Sequence, residues 1–128
     1  MKTLSIPALV ALTFATLAGA AGIVLGAWAA HGLSEGVARL AETASRYALF
    51  HAVAMIGAAA MLDRIGGTWP RRLIVLALTL FALGTVLFSG SLAAAALGIA
   101  TGAAPIGGMA LNAGWIALAG AALTALFR

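Results

Sequence analysis

Leu73 to Phe127, LIVLALTLFALGTVLFSGSLAAAALGIATGAAPIGGMALNAGWIALAGAALTALF, runs for 55 residues without an Asp, Glu, Lys, Arg or His. A helix rises about 1.5 Å per residue and a hydrocarbon core is about 30 Å thick, so one span needs roughly 20 residues. The run is too long for one helix and must fold back on itself. Its one good breaker is Thr101-Gly102-Ala103-Ala104-Pro105-Ile106-Gly107-Gly108, which separates a span over 72–99 from one over 106–127. Ser89-Gly90-Ser91, inside the longer of the two, is a place for a kink or a tilt.

Toward the N-terminus, Gly66-Gly67-Thr68-Trp69-Pro70 reads as a turn with an interfacial tryptophan. Before it, Tyr47 to Leu62 gives 16 residues with no acid, Lys or Arg, bounded by Arg46 and Asp63-Arg64. That is short for a span, placed at 46–63, and its flanking side chains are expected to snorkel. Between Gly32 and Tyr47 charges recur as Glu35, Arg39, Glu42 and Arg46, with Leu33, Val37, Leu40, Ala44 and Tyr47 on the opposite side. This periodicity predicts a short amphipathic helix lying at the membrane surface, with Ser34 as its N-cap and two acid-before-base pairs at i,i+4. Thr3 to Ala30 then supplies 28 uncharged residues for a first span over 4–30. Ala18-Gly19-Ala20 has a small-x-small cleavage pattern, but the apolar run continues ten residues past it, so a retained span is expected and not a signal peptide.

Across 128 residues, 64% are hydrophobic and 8% charged, against roughly 25% charged in an average soluble domain. The expected fold is all-α: an integral membrane four-helix bundle with a short extracytoplasmic amphipathic helix, forming one transmembrane domain over 1–128. No separate soluble catalytic domain fits beside it. Net charge is +4. The basic residues lie in short loops beside apolar runs and form no stripe able to neutralise phosphates, so the expected partner is the lipid bilayer and not nucleic acid. The chain has no cysteine, which excludes disulfides and thiolate chemistry. With four spans, Lys2, Arg64, Arg71, Arg72 and Arg128 share one side and Arg39 and Arg46 the other. The richer side is expected to be cytoplasmic, giving an inner-membrane, multi-pass chain with both termini inside.

Ala18, Gly22, Gly26 and Ala30 repeat every fourth residue in the first span, as do Ala113, Ala117 and Ala121 in the fourth. Such ridges of small residues let helices approach closely in lipid. The polar residues within the spans are few, and their depths can be estimated. His51 lies about 7–8 Å beyond Arg46, Ser89 about 25 Å from Arg72, and Asn112 about 10 Å past Pro105. His31 ends the first span on the same side. His31, His51, Ser89 with Ser91, and Asn112 therefore share the outer third of the bilayer, with a neutral His51 expected to hydrogen-bond to His31, Ser89 or Asn112. Two readings stand for this polar cluster: hydrogen bonds that tie helices together, or a site for a proton, a polar headgroup, a quinone-like carbonyl or, with less support because the two histidines have no ligand spacing, a metal.

Enzyme chemistry has no support. No carboxylate lies within a span, Ser89 has no G-x-S-x-G context, and no metal-ligand spacing occurs. No cofactor can be named. The polar groups lie on one side of the bilayer and do not line it from face to face; Thr79 and Thr85, the mid-depth hydroxyls, are expected to bond within their own helix. This favours an oligomeric accessory or binding component for a lipid-like ligand or a membrane-protein partner over a channel or transporter for a small neutral solute.

Several stretches are also familiar as motifs: Ala30-His31-Gly32-Leu33, Tyr47-Ala48-Leu49-Phe50-His51-Ala52, Phe88-Ser89-Gly90-Ser91-Leu92, and Thr101-Gly102 with Pro105-Ile106-Gly107-Gly108 and Gly114-Trp115. In these the chain resembles the small membrane-protein family called domain of unknown function 423, related to transmembrane protein 256 of animals. The resemblance implies a four-span integral membrane protein and no established activity.

Overall fold

In the first span Pro7 falls in the opening turn, where a missing N–H leaves no helical bond unmade, and helix α1 forms over Ile6–Ala29. The computed structural model describes residues 3–127, so Lys2 and Arg128 of the charge count lie outside the described residues. Three further helices follow: α2 over Glu35–Leu62, α3 over Thr68–Ala96 and α4 over Ala104–Leu126. Each is long and apolar enough to cross a membrane. No strand occurs among the described residues.

The separate surface helix expected before the second span does not form. Its residues are the first half of α2, which runs unbroken for 28 residues. No glycine or proline occurs between Val37 and Ile56, so nothing stops the helix at the charged-to-apolar boundary. Ala41, Ala44, Ser45 and Ala48 also stay buried across that boundary, which holds the charged half upright. At about 42 Å, α2 exceeds the hydrocarbon thickness, and its Glu35–Arg39 and Glu42–Arg46 pairs (3.4 and 2.7 Å) occupy the excess. Ser34 is the N-cap residue, but its side chain makes no capping bond. Helix α3 likewise continues through Ser89-Gly90-Ser91. It ends where Gly98 turns into the left-handed region (φ 84°), letting Ile99 N–H reach back to the Ala94 carbonyl at 2.9 Å.

The four helices run alternately up and down. Helix α1 packs along α2 and α4 along α3, with α2 against α3 between them; α1 meets α3 only over a short stretch. The core holds few large side chains, chiefly Phe81, Met55, Leu62 and Ile74, among many alanines. Small residues bring the backbones close. A Cβ on Gly22 would lie 2.8 Å from Leu49 Cγ, one on Gly114 2.7 Å from the Phe81 ring, and one on Gly107 inside the Phe88 backbone. Gly22 and Gly26 of the first small-residue ridge thus face α2 at Leu49 and Ser45, while Ala117 and Ala121 of the second are buried.

At the end where α1 begins, the Ser5 backbone N–H donates to Asp63 Oδ2 at 2.7 Å. Arg71 Nη1 donates to Asp63 Oδ1 and to the Leu62 carbonyl, both at 3.0 Å. The Ser5 amide first, and Arg71 after it, hold the Asp63 carboxyl below the usual carboxylate range. This clasp ties the start of α1 to the α2–α3 turn. The C-terminal part of α4 lies at the same end, where Gly120 faces Leu73.

Candidate functional site

His51 is 5% exposed and points into the bundle from the middle of α2. Its Nδ1 meets the Tyr47 carbonyl at 2.8 Å, and its Nε2 accepts from the Trp115 indole N–H on α4 at 3.2 Å. An indole N–H only donates, so Nε2 is the bare nitrogen and the proton sits on Nδ1. Phe81 packs against both rings, with centroids 5.3 Å from His51 and 5.1 Å from Trp115. The imidazole is neutral and fully occupied, and neither nitrogen is free to serve as a base or a ligand.

The expected polar cluster does not assemble: no hydrogen bond joins any two of His31, His51, Ser89, Ser91 and Asn112 among the described residues. His31 is exposed in the turn after α1, and Asn112 is exposed on α4. Depth estimates cannot fix the direction in which a side chain leaves its helix. On α4 the buried stripe is Gly107, Leu111, Gly114, Ala117 and Ala121, and Asn112 stands about 100° around from Leu111. Ser91 hydrogen-bonds to Thr101 and fastens the loop between α3 and α4.

Ser89 has a different situation. Thr13, Thr16, Thr79 and Thr124 donate to carbonyls three or four residues back in their own helices. Ser45 Oγ crosses from α2 to the Gly22 carbonyl at 2.6 Å. Thr85 and Ser89, one turn apart on α3, are 6% and 4% exposed, and their hydroxyls have no partner. The expectation that Thr85 bonds within its own helix is thus not met, whereas Thr79 meets it. In an apolar setting an unmade hydroxyl bond costs roughly 1–3 kcal/mol.

Both side chains line a groove of about 290 Å³ between α1 and α3, with Phe14, Leu17 and Ala18 on one wall and Ala48 at its floor. The rim residues Leu17 and Val86 are exposed, so the groove opens sideways, toward lipid. It exists because α1 leans on α2 and touches α3 only briefly. A second section, about 300 Å³, continues from Phe14 past Met55 and Leu78 to Pro7 and Val75. Neither section is lined by a charged or titratable side chain.

Sequence reasoning missed Thr85 as a buried polar residue and Trp115 as the partner of His51. Trp115 had a usable signal, since an indole N–H in an apolar span needs an acceptor and its depth from the end of α4 matches that of His51 from the end of α2. Thr85 had only its four-residue spacing from Ser89.

These features define a small polytopic membrane protein of four spanning helices, with a lateral groove between the first and third. Residues 25–108 match the family model described as protein of unknown function (DUF423), and the chain belongs to that family. The matched stretch contains His51, Thr85 and Ser89 but not Trp115. The chain is 36% identical over 111 residues to the UPF0382 inner membrane protein YgdD of Escherichia coli K12, covering 81% of this chain and 82% of that protein. It is 35% identical over 115 residues to a UPF0382 membrane protein of Haemophilus influenzae, covering 84% and 89%. No solved structure matches the chain.

Proposed function

We propose that this protein is a binding component of the inner membrane that takes a lipid-like molecule into the groove between α1 and α3. The observation that carries the reading is the pair of buried, unpartnered hydroxyls of Thr85 and Ser89 in a groove otherwise apolar and open to lipid. A pocket that is mostly apolar with a few convergent polar groups is the usual form of a small-molecule site. Binding is favoured over passage of a small solute, because Thr79, the other hydroxyl in the groove, is already bonded to the Val75 carbonyl and no polar path runs from face to face. The site is complete within one chain. An oligomeric assembly, or a partner protein, would dock on other lipid-facing surfaces, and light scattering in detergent measures it.

The test is photolabelling in membranes with a monoacylglycerol carrying a diazirine on its chain. Labelling is expected to concentrate on the groove walls of α1 and α3, well above that at Ile116, which is 69% exposed on α4. Even labelling of all lipid-facing residues would refute a site.

A further inference from the structure

Resting on that reading, we infer that Thr85 and Ser89 receive an uncharged, oxygen-bearing headgroup, an ester carbonyl or an alcohol, while one hydrocarbon chain lies along the Met55–Leu78 section of the groove. Three observations converge on this class. First, a hydroxyl both donates and accepts, so two of them one turn apart suit a carbonyl or an alcohol equally. Secondly, no Lys, Arg or His lines either section. An anionic phosphate head would lie in the groove without a counter-charge, and burying an unpaired charge is far more costly than burying a neutral ester. Thirdly, polarity in the groove is one-sided. The unpaired hydroxyls occupy the section toward the α3–α4 loop, whereas the section toward Pro7 and Val75 is apolar apart from the self-bonded Thr79.

Phe14 borders both sections, so one chain can pass from one to the other. From Ser89 to Val75 the helix rises about 21 Å, the scale of one extended acyl chain and not of a small solute. The hydroxyl oxygens themselves are buried, and a rotation about χ1 brings a Thr or Ser oxygen to a new staggered position. The same rotation offers each its own helix's carbonyl as the competing partner, and the experiment must separate these two outcomes.

The measurement is the affinity of the diazirine monoacylglycerol for the full-length chain in nanodiscs, with wild type compared against T85V/S89A and against T124V. The double variant is expected to bind about tenfold more weakly, since two hydrogen bonds to the headgroup are worth about that factor, and T124V, whose hydroxyl is bonded within α4 away from the groove, within about twofold of wild type. A lysophosphatidylglycerol of the same chain length is expected to compete at least about tenfold less well than the unlabelled monoacylglycerol. Without probe, the double variant is expected to melt no lower than wild type, because its substitutions break no protein hydrogen bond. A lower melting point would show that the hydroxyls tie the bundle together and would overturn the inference. Unchanged affinity in the double variant, or equal competition by the anionic lipid, with labelling still confined to the groove, would overturn the headgroup assignment and leave lipid binding standing. Labelling that ignores the groove would remove both.

Discussion

Two residues 64 apart in the sequence, His51 and Trp115, form the one hydrogen bond between α2 and α4 side chains among the described residues. Its direction is set by chemistry: the indole can only donate, so the imidazole accepts through Nε2 and keeps its proton on Nδ1, toward the Tyr47 carbonyl. W115F keeps an aromatic ring against Phe81 but leaves Nε2 without a donor. We expect a loss of about 0.5–2 kcal/mol in unfolding from mixed micelles, the range seen for hydrogen bonds between membrane helices and for a stranded acceptor. An unchanged unfolding midpoint would mean that the bond contributes nothing. That His51 is buried and polar-bonded was legible, because an ionisable residue in a span is seldom left facing lipid. Its partner was not, because Asn112, at a matching depth and chemically suited, leaves α4 about 100° away from Leu111 on its buried stripe.

Among the elements, the pairing of α3 with α4 depends on glycine at one crossing. A Cβ at Gly107 would press into the backbone at Leu87 and Phe88, which cannot swing aside as a side chain can. G107A is therefore expected to destabilise the bundle by roughly 1–3 kcal/mol, the usual penalty of overpacking. G57A is the matched control: nothing lies within 4 Å of the added methyl, and alanine is the better helix former. Equal melting of the two variants in detergent would show that the α3–α4 crossing is not close-packed. At this scale the break between α3 and α4, near Gly102 and Pro105, is legible in the sequence, whereas the unbroken course of α2 is not. There the composition changes from charged to apolar with no structural boundary, because composition alone does not end a helix. Ending one needs a backbone that cannot continue, and none occurs between Val37 and Ile56.

For the whole molecule, the antiparallel order puts the beginning of α1 and the end of α4 at the same end of the bundle, together with Arg64, Arg71 and Arg72. Arg39 and Arg46 at the other end are each paired with a glutamate. On the positive-inside rule both termini are expected to face the cytoplasm. Reporter fusions after Phe127 and within the turn at 64–67 are expected to report the same, cytoplasmic side, while one inserted at Gly36 reports the opposite side. A periplasmic signal from either of the first two would reverse the assignment.

Read alone, the sequence determined the number of spans, the turns between them and the small residues along the helix contacts, because each of these follows from local composition: apolar length, breakers and periodicity. It also assigned the polar residues their depths, since depth is a count along one helix. Only the tertiary structure decided which of them meet. Direction around a helix axis depends on how α1 leans on α2 and stays clear of α3, a balance of packing among all four helices that no single segment encodes. That balance left Asn112 and His31 outside, gave His51 to Trp115, and set Thr85 and Ser89 unpartnered in a groove open to lipid.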